Sequence, residues 1–303
     1  MPFFSVVIPT YNQCDYLKKA LKSVINQRYK NYEIIIIDNN SSDDTRKIVK
    51  KFKSKKIIYR KINNKGVIAK SRNLGIRISK GKWIALLDSD DFWYKEKLKI
   101  IFNIIKMRRD VDVICNDKMI YYEDRSIKKI YKYGPYKTNF YEYLLRYGNR
   151  VSTSASVIRK GFLKGNNVKY NENKKFITTE DYDFFLNIAR MSGKFYFCHK
   201  VLGGHLIHRK SASSNYSKHR KAFKAVSSYH VFKLQKFCGD KNKLWKDVNY
   251  SINFEDLIYI IKGKKINYSV FTKIIKLFFN SPFNFLKLSF TQFYNSFYKT
   301  NKI

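Results

Sequence analysis

The first ninety residues alternate between two kinds of apolar spacing, and that alternation constrains the fold more than any other feature of the chain. Phe4 to Ile8 is a mostly apolar run that stops at Pro9, as a buried strand does, and Leu17, Ala20, Leu21, Val24 and Ile25 then recur at helical spacing. Glu33 to Ile37 is a β-branched run ending at Asp38. A helix carrying Ile48, Val49 and Phe52 follows it, with Ser41 and Ser42 as N-cap candidates and Asp43 and Asp44 expected in its first turn. Ile57 to Tyr59 reads as a third strand, Asn63-Asn64-Lys65-Gly66 as a turn, Val67 to Ile78 as a helix and Trp83 to Leu87 as a fourth strand. A βαβαβαβ order predicts an α/β fold with a mostly parallel sheet flanked by helices. Ligands of such sheets bind beyond the carboxyl ends of the strands. Three of those ends carry polar sets: Thr10-Tyr11-Asn12, Asp38-Asn39-Asn40 and Asp88-Ser89-Asp90-Asp91.

The last set is the densest. Carboxylates this close repel one another unless a cation or a hydrogen-bonded ligand joins them. Oxygen ligands with no His or Cys adjacent in sequence suit Mg²⁺ or Mn²⁺, which bind through one or two carboxylates and the phosphates of a substrate, so the run points to a nucleotide diphosphate. The competing reading makes Asp90 and Asp91 caps for a helix over Glu96 to Met107.

Beyond Met107, Val111 to Cys115, Met119 to Tyr122 and Ser152 to Ile158 read as strands, and Thr178-Thr179-Glu180-Asp181 opens a helix with Phe184, Phe185, Ile188 and Ala189 on its apolar positions. Near the end, Val270, Phe271, Ile274, Ile275 and Phe278 share a helical face with Lys273 and Lys276 off it. Pro282 interrupts, and Phe283, Leu286, Phe290, Phe293 and Phe297 resume the spacing. Basic, aromatic amphipathic helices of this kind lie in membrane interfaces; the alternative is packing on the body of the protein or in a dimer.

Composition narrows the partners. The 303 residues carry a net charge of +39, which calls for a polyanionic neighbour: nucleic acid, an anionic membrane surface or phosphorylated substrates. With 44% hydrophobic and 17% aromatic residues, disorder is excluded as the reason for that charge. The lysines are spread along the chain, and its wealth of Lys, Ile, Asn, Tyr and Phe fits AT-rich coding, so charge alone says little about nucleic acid. Cys14, Cys115, Cys198 and Cys238 are far apart, which argues against a zinc site or a disulfide framework and for a reducing cytoplasm. No signal peptide is visible, and no apolar run approaches the roughly 20 residues that span a bilayer.

Four ordered motifs, Val6-Val7-Ile8-Pro9-Thr10-Tyr11-Asn12, Ile34 to Asp38 with Asn39-Asn40-Ser41-Ser42-Asp43, Ser71-Arg72-Asn73-Leu74-Gly75, and Leu87-Asp88-Ser89-Asp90-Asp91, resemble glycosyltransferase family 2 and its GT-A fold. The resemblance is dense over the first third of the chain and looser to about Asn215. It implies a GT-A domain over residues 1–218, with a nucleotide-binding half to about 115 and an acceptor half from 116, and leaves 219–303 as a helical C-terminal region. By the same resemblance, Pro9, Thr10 and Tyr11 lie along the nucleotide base and Asp38 hydrogen-bonds its uracil ring. Arg72 meets base and diphosphate, Asp88 sits near ribose and sugar, and Asp90 is the metal ligand. Taken singly, Tyr11 reads as core packing, Asp38 as a turn former and Arg72 as a solvated helix charge.

The pair Glu180-Asp181 resembles the site of the general base in inverting members, with Asp181 the catalytic residue and Asp183 the second choice. Ordinary N-terminal capping by Thr178 or Thr179 would place the same acids there. His208, before Ser211-Ala212-Ser213-Ser214, resembles the family's downstream metal or diphosphate His, although His205-Leu206-Ile207 replaces the usual aromatic and basic pair.

The resemblance thus implies metal-dependent transfer from a nucleotide-sugar, a UDP-hexose or UDP-N-acetylhexosamine, to a lipid-linked glycan in lipopolysaccharide, capsule or other surface polysaccharide assembly. The implied location is cytoplasmic, peripheral on the inner face of the cytoplasmic membrane, with no nucleic acid partner. The competing functions are a sugar-phosphate nucleotidyltransferase, whose Gly-rich N-terminal loop is missing, and a basic RNA-binding protein, for which no signature motif is present.

Overall fold

The structure, a computed structural model, describes residues 1–122, 125–208, 215–237, 239–263 and 268–290. Cys238, Ser211 to Ser214, Phe293 and Phe297 lie outside the described residues.

The predicted alternation is present. Strands β1 (Phe4–Thr10), β2 (Tyr32–Asp38), β3 (Ile57–Lys61) and β4 (Trp83–Leu86) are parallel and joined by helices α1 (Cys14–Ile25), α2 (Thr45–Lys51) and α3 (Ile68–Ile78). Every residue of β1 and β2 is buried, as a central strand covered on both faces requires. Leu17, Ala20, Leu21 and Val24 of α1 pack with Phe4, Val6, Ile8, Ile34 and Ile36 in one core cluster, each large aliphatic contributing about 1.5–3 kcal/mol on burial.

The chain then leaves the parallel pattern. It runs through β5 (Asp91–Trp93), α4 (Lys97–Met107), β6 (Val113–Tyr122), β7 (Arg125–Tyr131), α5 (Phe140–Tyr147), β8 (Ser156–Arg159), α6 (Lys160–Gly165), α7 (Glu180–Arg190) and β9 (Phe195–Ile207). One nine-stranded sheet results, in the order β3-β2-β1-β4-β8-β6-β9-β5, with β7 paired to β6. Strand β8 is antiparallel to β4 and β6, β9 is parallel to β6, and β5 is antiparallel to β9.

Three local expectations change. Ser41 and Ser42 do not cap α2: Asn40 has φ +56, which turns the chain so that Ser41 donates back to Asp38 through its backbone N (2.9 Å) and Oγ (2.6 Å). Asp43 instead accepts from Thr45 N at 3.1 Å and from Cys14 N at 2.9 Å, so it precedes the helix and ties α2 to α1. The strands expected at 111–115 and 119–122 are one strand, because Asn116, Asp117 and Lys118 are buried with partners rather than solvated: Asp117 accepts from Tyr133 N at 3.0 Å and Lys118 pairs with Asp91 at 3.1 Å. Asp91 lies in β5, which rules it out as a cap for α4.

Contacts divide the chain into two compact units, Met1–Tyr141 with Asn149–Phe223, and Glu142–Gly148 with Lys224–Ile303. The sheet belongs to the first. In the second, Tyr250 of α9 (Lys241–Gly263; α8, Tyr216–Tyr229, precedes it) donates its hydroxyl to Leu277 O of α10 (Tyr268–Asn280) at 2.9 Å, and a further helix covers 282–290. Val270 is buried, but Phe271, Phe283, Leu286 and Phe290 of the predicted apolar face are 53–77% exposed, as is Phe279, which lies outside it, so the outer part of that face meets solvent. Among the described residues no helix is long and apolar enough to cross a membrane.

Candidate active site

The carboxyl ends of β1 and β2 are laced together. Asn39 N donates to Thr10 O at 2.9 Å, Asn12 N to Ser41 Oγ at 2.9 Å and Ser42 N to Asn12 Oδ1 at 2.8 Å, with Asn12 at φ +48 making the reversal. Pro9 and Thr10 are buried at the strand end, and Thr10 Oγ1 has no hydrogen-bond partner among the described residues. Tyr11 is 57% exposed, so it is not core packing. Asp38 is buried and accepts from Ser41 and from the Tyr59 hydroxyl, which burial first, and then the hydrogen bond to Asp38 and its charge, push well above the usual tyrosine range. A carboxylate has about four acceptor positions. Asp38 therefore forms its turn and keeps capacity for one more donor.

At the end of β4 the three acids have separate fates. Asp88 accepts from Arg72 at 2.7 Å, and its backbone N donates to Ser154 Oγ at 3.0 Å. Asp91, directly across from His205 in the β5–β9 pair, accepts from His205 Nδ1 at 2.7 Å and Lys118 Nζ at 3.1 Å. Burial would raise its pKa, but those two partners outweigh that and hold the carboxyl well below the usual range. Among the described residues the side-chain partner of Asp90 is His208, whose Nε2 lies 3.0 Å from Oδ2 and whose ring stacks on Tyr16 with centroids 4.5 Å apart. Burial, then the charges of Asp91 and Asp88, push the Asp90 carboxyl up. It is thus the acid of this cluster whose negative charge is least compensated.

Arg72, from the buried side of α3, joins the two parts of the site. One terminal nitrogen contacts Asp88 and the other contacts Glu180 Oε1, both at 2.7 Å, and its guanidinium lies over the Tyr170 ring at 5.3 Å. Tyr170 is stacked on Phe184 of α7 at 3.9 Å, which fixes the platform beneath the fork. Burial alone would lower the Arg72 pKa; Asp88, the Tyr170 hydroxyl and Glu180 raise it well above normal. The solvated-charge reading of Arg72 is therefore excluded.

Asp181 follows in the first turn of α7. Its Oδ1 accepts from Tyr182 N at 2.8 Å and its Oδ2 from Asn149 Nδ2 at 3.2 Å. Burial first, and the neighbouring Glu180 second, push its pKa up to about 7, where a carboxylate can take and release a proton near neutrality. Thr179 occupies the cap position without capping, since its hydroxyl donates to Phe176 O at 3.2 Å. Asp183 is fully buried and accepts from Asn187 Nδ2 at 3.1 Å, inside the helix packing rather than beside Arg72.

The structure therefore brings Arg72, Asp88, Glu180 and Asp181 together, pairs Asp90 with His208, and sets Thr10 and Asp38 on the adjoining strand ends. Sequence reasoning missed Ser154, Asn149, Tyr170, Lys118 and His205. Lys118 and His205 carried a signal, a buried-strand Lys and a His opposite an acid, but strand pairing is needed to read it.

Residues 5–171 match the family model for glycosyl transferase family 2. An uncharacterized glycosyltransferase of Methanocaldococcus jannaschii is 31% identical over 262 residues, covering 83% of this chain and 87% of its own. The Escherichia coli UDP-Glc:alpha-D-GlcNAc-diphosphoundecaprenol beta-1,3-glucosyltransferase WfaP is 33% identical over 71% of this chain and 81% of its own. Among solved structures, S. aureus TarS 1-349 in complex with UDP-GlcNAc superposes with a TM-score of 0.64 at 19% identity, covering 91% of this chain and 79% of that one. That likeness gives the same GT-A fold. With the match spanning more than half of the chain and this identity to curated glycosyltransferases, the chain belongs to glycosyl transferase family 2.

Proposed function

We propose that this glycosyltransferase is an inverting enzyme that moves a hexose or N-acetylhexosamine from a UDP-sugar onto a lipid-linked glycan in cell-surface polysaccharide assembly. The observation that carries the reading is the Arg72 fork, which places the Asp88 strand end and the Glu180-Asp181 turn on one guanidinium. A donor bound at the strand ends would then have its sugar beside a carboxylate able to act as base. The names of WfaP, with its UDP-Glc donor and diphosphoundecaprenol-linked acceptor, and of the UDP-GlcNAc complex of TarS support the donor and acceptor classes.

In this mechanism Asp181 takes the proton of the acceptor hydroxyl as that oxygen attacks the anomeric carbon. The new C–O bond forms opposite the bond to the diphosphate, which breaks with its electron pair, so one displacement inverts the anomeric centre. Thr10, Tyr11 and Asp38 would line the base, and Arg72 holds Asp88 against the donor side.

A divalent Mg²⁺ or Mn²⁺ belongs to the reading. The donor set fits: Asp90 is the least compensated acid of the cluster, crowded by Asp91 and Asp88, and His208 lies 3.0 Å from it, so these two residues would hold the ion. Two protein ligands suffice, because such ions complete their shell with phosphate and water, and an imidazole favours Mn²⁺ over Mg²⁺. When bound, the ion supplies neutralisation of the leaving diphosphate. A mannosyltransferase of Pyrobaculum calidifontis, whose fold matches with a TM-score of 0.57, is described in complex with GDP-Man and Mn2+. Asp90→Ala, or chelation of the wild type, should reduce transfer by about 10²-fold; undiminished transfer in both would remove the metal from the mechanism.

The decisive assay offers a panel of UDP- and GDP-sugars with a polyprenyl-diphosphate N-acetylglucosamine acceptor and follows nucleoside diphosphate release with and without acceptor. Acceptor-dependent UDP release supports the proposal. Release from GDP-sugars alone, or to soluble acceptors only, overturns the donor or the acceptor class.

The exposed Phe-rich surface over 271–290, interleaved with Lys273 and Lys276, suits an anionic membrane surface, and the proposed site of action is the cytoplasmic face of the cytoplasmic membrane. Phe279→Asp with Phe283→Asp should abolish flotation with anionic vesicles without altering the thermal transition, because both side chains are solvent-exposed. If high salt alone strips the wild type from vesicles, lysine charge at about 1 kcal/mol per residue accounts for the binding and apolar insertion does not.

A further inference from the structure

Thr178, two residues before Glu180, has φ +82. A β-branched side chain reaches that region only under strain, at a cost on the order of 1–3 kcal/mol that surrounding contacts must offset. On the N-terminal side a local turn contributes: Thr179 N donates to Phe176 O at 2.9 Å, and the Thr179 hydroxyl donates to the same oxygen at 3.2 Å. The Thr178 hydroxyl contributes nothing, since its buried Oγ1 has no hydrogen-bond partner among the described residues.

The other restraint comes from a distant part of the chain. His219, in the first turn of α8, has Nδ1 3.2 Å from Thr178 O. A carbonyl oxygen only accepts, so Nδ1 carries the proton. Burial pushes the His219 imidazole below its usual range, which favours the neutral ring with this one donor in place. One helical turn further along, Phe223 stacks on Tyr182 with centroids 4.6 Å apart and planes within 4°. Helix α8 thus grips the start of α7 at residues 178 and 182, on either side of Glu180 and Asp181.

The backbone angle at Thr178 sets the direction in which α7 starts and so where Asp181 is presented; Tyr182 N orients its carboxylate relative to that start, and Asn149, from outside α7, can reach it at 3.2 Å only while the start is held in place. We infer that His219 is a positioning residue for the reaction: its Nδ1–H holds Thr178 in the left-handed conformation and so aims the Asp181 carboxylate at the acceptor hydroxyl. This rests on the reading of Asp181 as the general base. A displacement of about 1 Å at a reacting group can cost up to 10²-fold in rate, which is the scale on which such a restraint acts.

The test measures transfer kcat, the Kd for UDP and the thermal transition in full-length variants. His219→Ala should lower kcat about 10-fold with a smaller effect, within about 3-fold, on the Kd for UDP, because the restraint acts on Asp181 directly and reaches the donor side only through the Glu180 arm of the Arg72 fork. His219→Asn places an amide N–H near the position of Nδ1 and should return kcat to within about 3-fold of wild type, whereas His219→Gln, with its amide one methylene further out, should not. Glycine adopts φ > 0 without steric cost, so Thr178→Gly added to His219→Ala should also restore kcat. Wild-type kcat in His219→Ala overturns the inference, as does equal activity in the Asn and Gln variants at equal thermal stability. Should His219→Ala fail to fold, the Asn and Gln pair alone decides. Asp181→Asn assayed alongside separates the two levels. Undiminished transfer there removes the base assignment itself. A dead Asp181→Asn with a fully active His219→Ala removes only the role of His219.

Discussion

Asp181→Asn is expected to lose transfer by about 10²-fold or more while UDP binding is retained, because the amide cannot accept the acceptor proton and the donor side is untouched. The pH dependence adds a second signature. With its pKa raised to about 7 by burial and by Glu180, wild-type Asp181 becomes the required carboxylate only as pH rises through that value, so the rate should climb through about pH 7 and level off above it. Stability should move the opposite way. The folded pKa lies above the unfolded value of 3.8, so the fold holds this proton more tightly than the unfolded chain does, and stability is lost as pH rises from about 4 to about 7. Above pH 7 the variant, which has no charge to bury, should melt at a higher temperature than wild type, and the difference should vanish near pH 4. Thermal scans at several pH values beside rate profiles check both signs; an active variant, or one with a lower melting temperature at pH 8, would sink the assignment.

Arg72→Met should be nearly as damaging, for a different reason. The guanidinium is 5% exposed and divides its two terminal nitrogens between Asp88 and Glu180; without it two carboxylates face each other across a buried gap. Removing one partner of a buried pair costs about 3–5 kcal/mol, which should appear as a large fall in melting temperature together with weakened donor binding. Arg72→Lys should not rescue it, since a single ammonium cannot span both acids in a fork. Thermal unfolding and UDP-sugar titration read the two effects, and wild-type behaviour of the Lys variant would show that the fork is not required.

The parallel half of the fold was legible because its signals are local. β-branched runs such as Ile34 to Ile37 and the helical spacing from Leu17 to Ile25 each depend on neighbouring residues alone. The second half was not, because burial there depends on pairing between distant strands. Asn116-Asp117-Lys118 looks like a loop until Asp91 and Tyr133 are seen opposite it. The same holds at the site. The acids at the strand ends announce themselves by spacing, but what separates them does not: Asp91 becomes a structural ion through Lys118 and His205, Asp88 a partner of Arg72, and Asp90 is left to His208. Ser41 shows the reverse error, a residue with good capping chemistry recruited by Asp38 because a left-handed Asn40 turned the chain.

Strand β5 is only three residues long, yet it begins at the last acid of the Asp88 to Asp91 run and closes the far end of the sheet against β9. The segment that carries the acids proposed to face the donor is thereby also continuous with a strand paired to β9, in the region expected to receive the acceptor. Exchange of acceptor specificity between relatives by recombination at about residue 115 would separate β5 from its own β9 and strand Asp91 away from Lys118 and His205. A chimera joined at about residue 115 is therefore expected to melt lower than either parent unless the residues facing Asp91 are carried over with it.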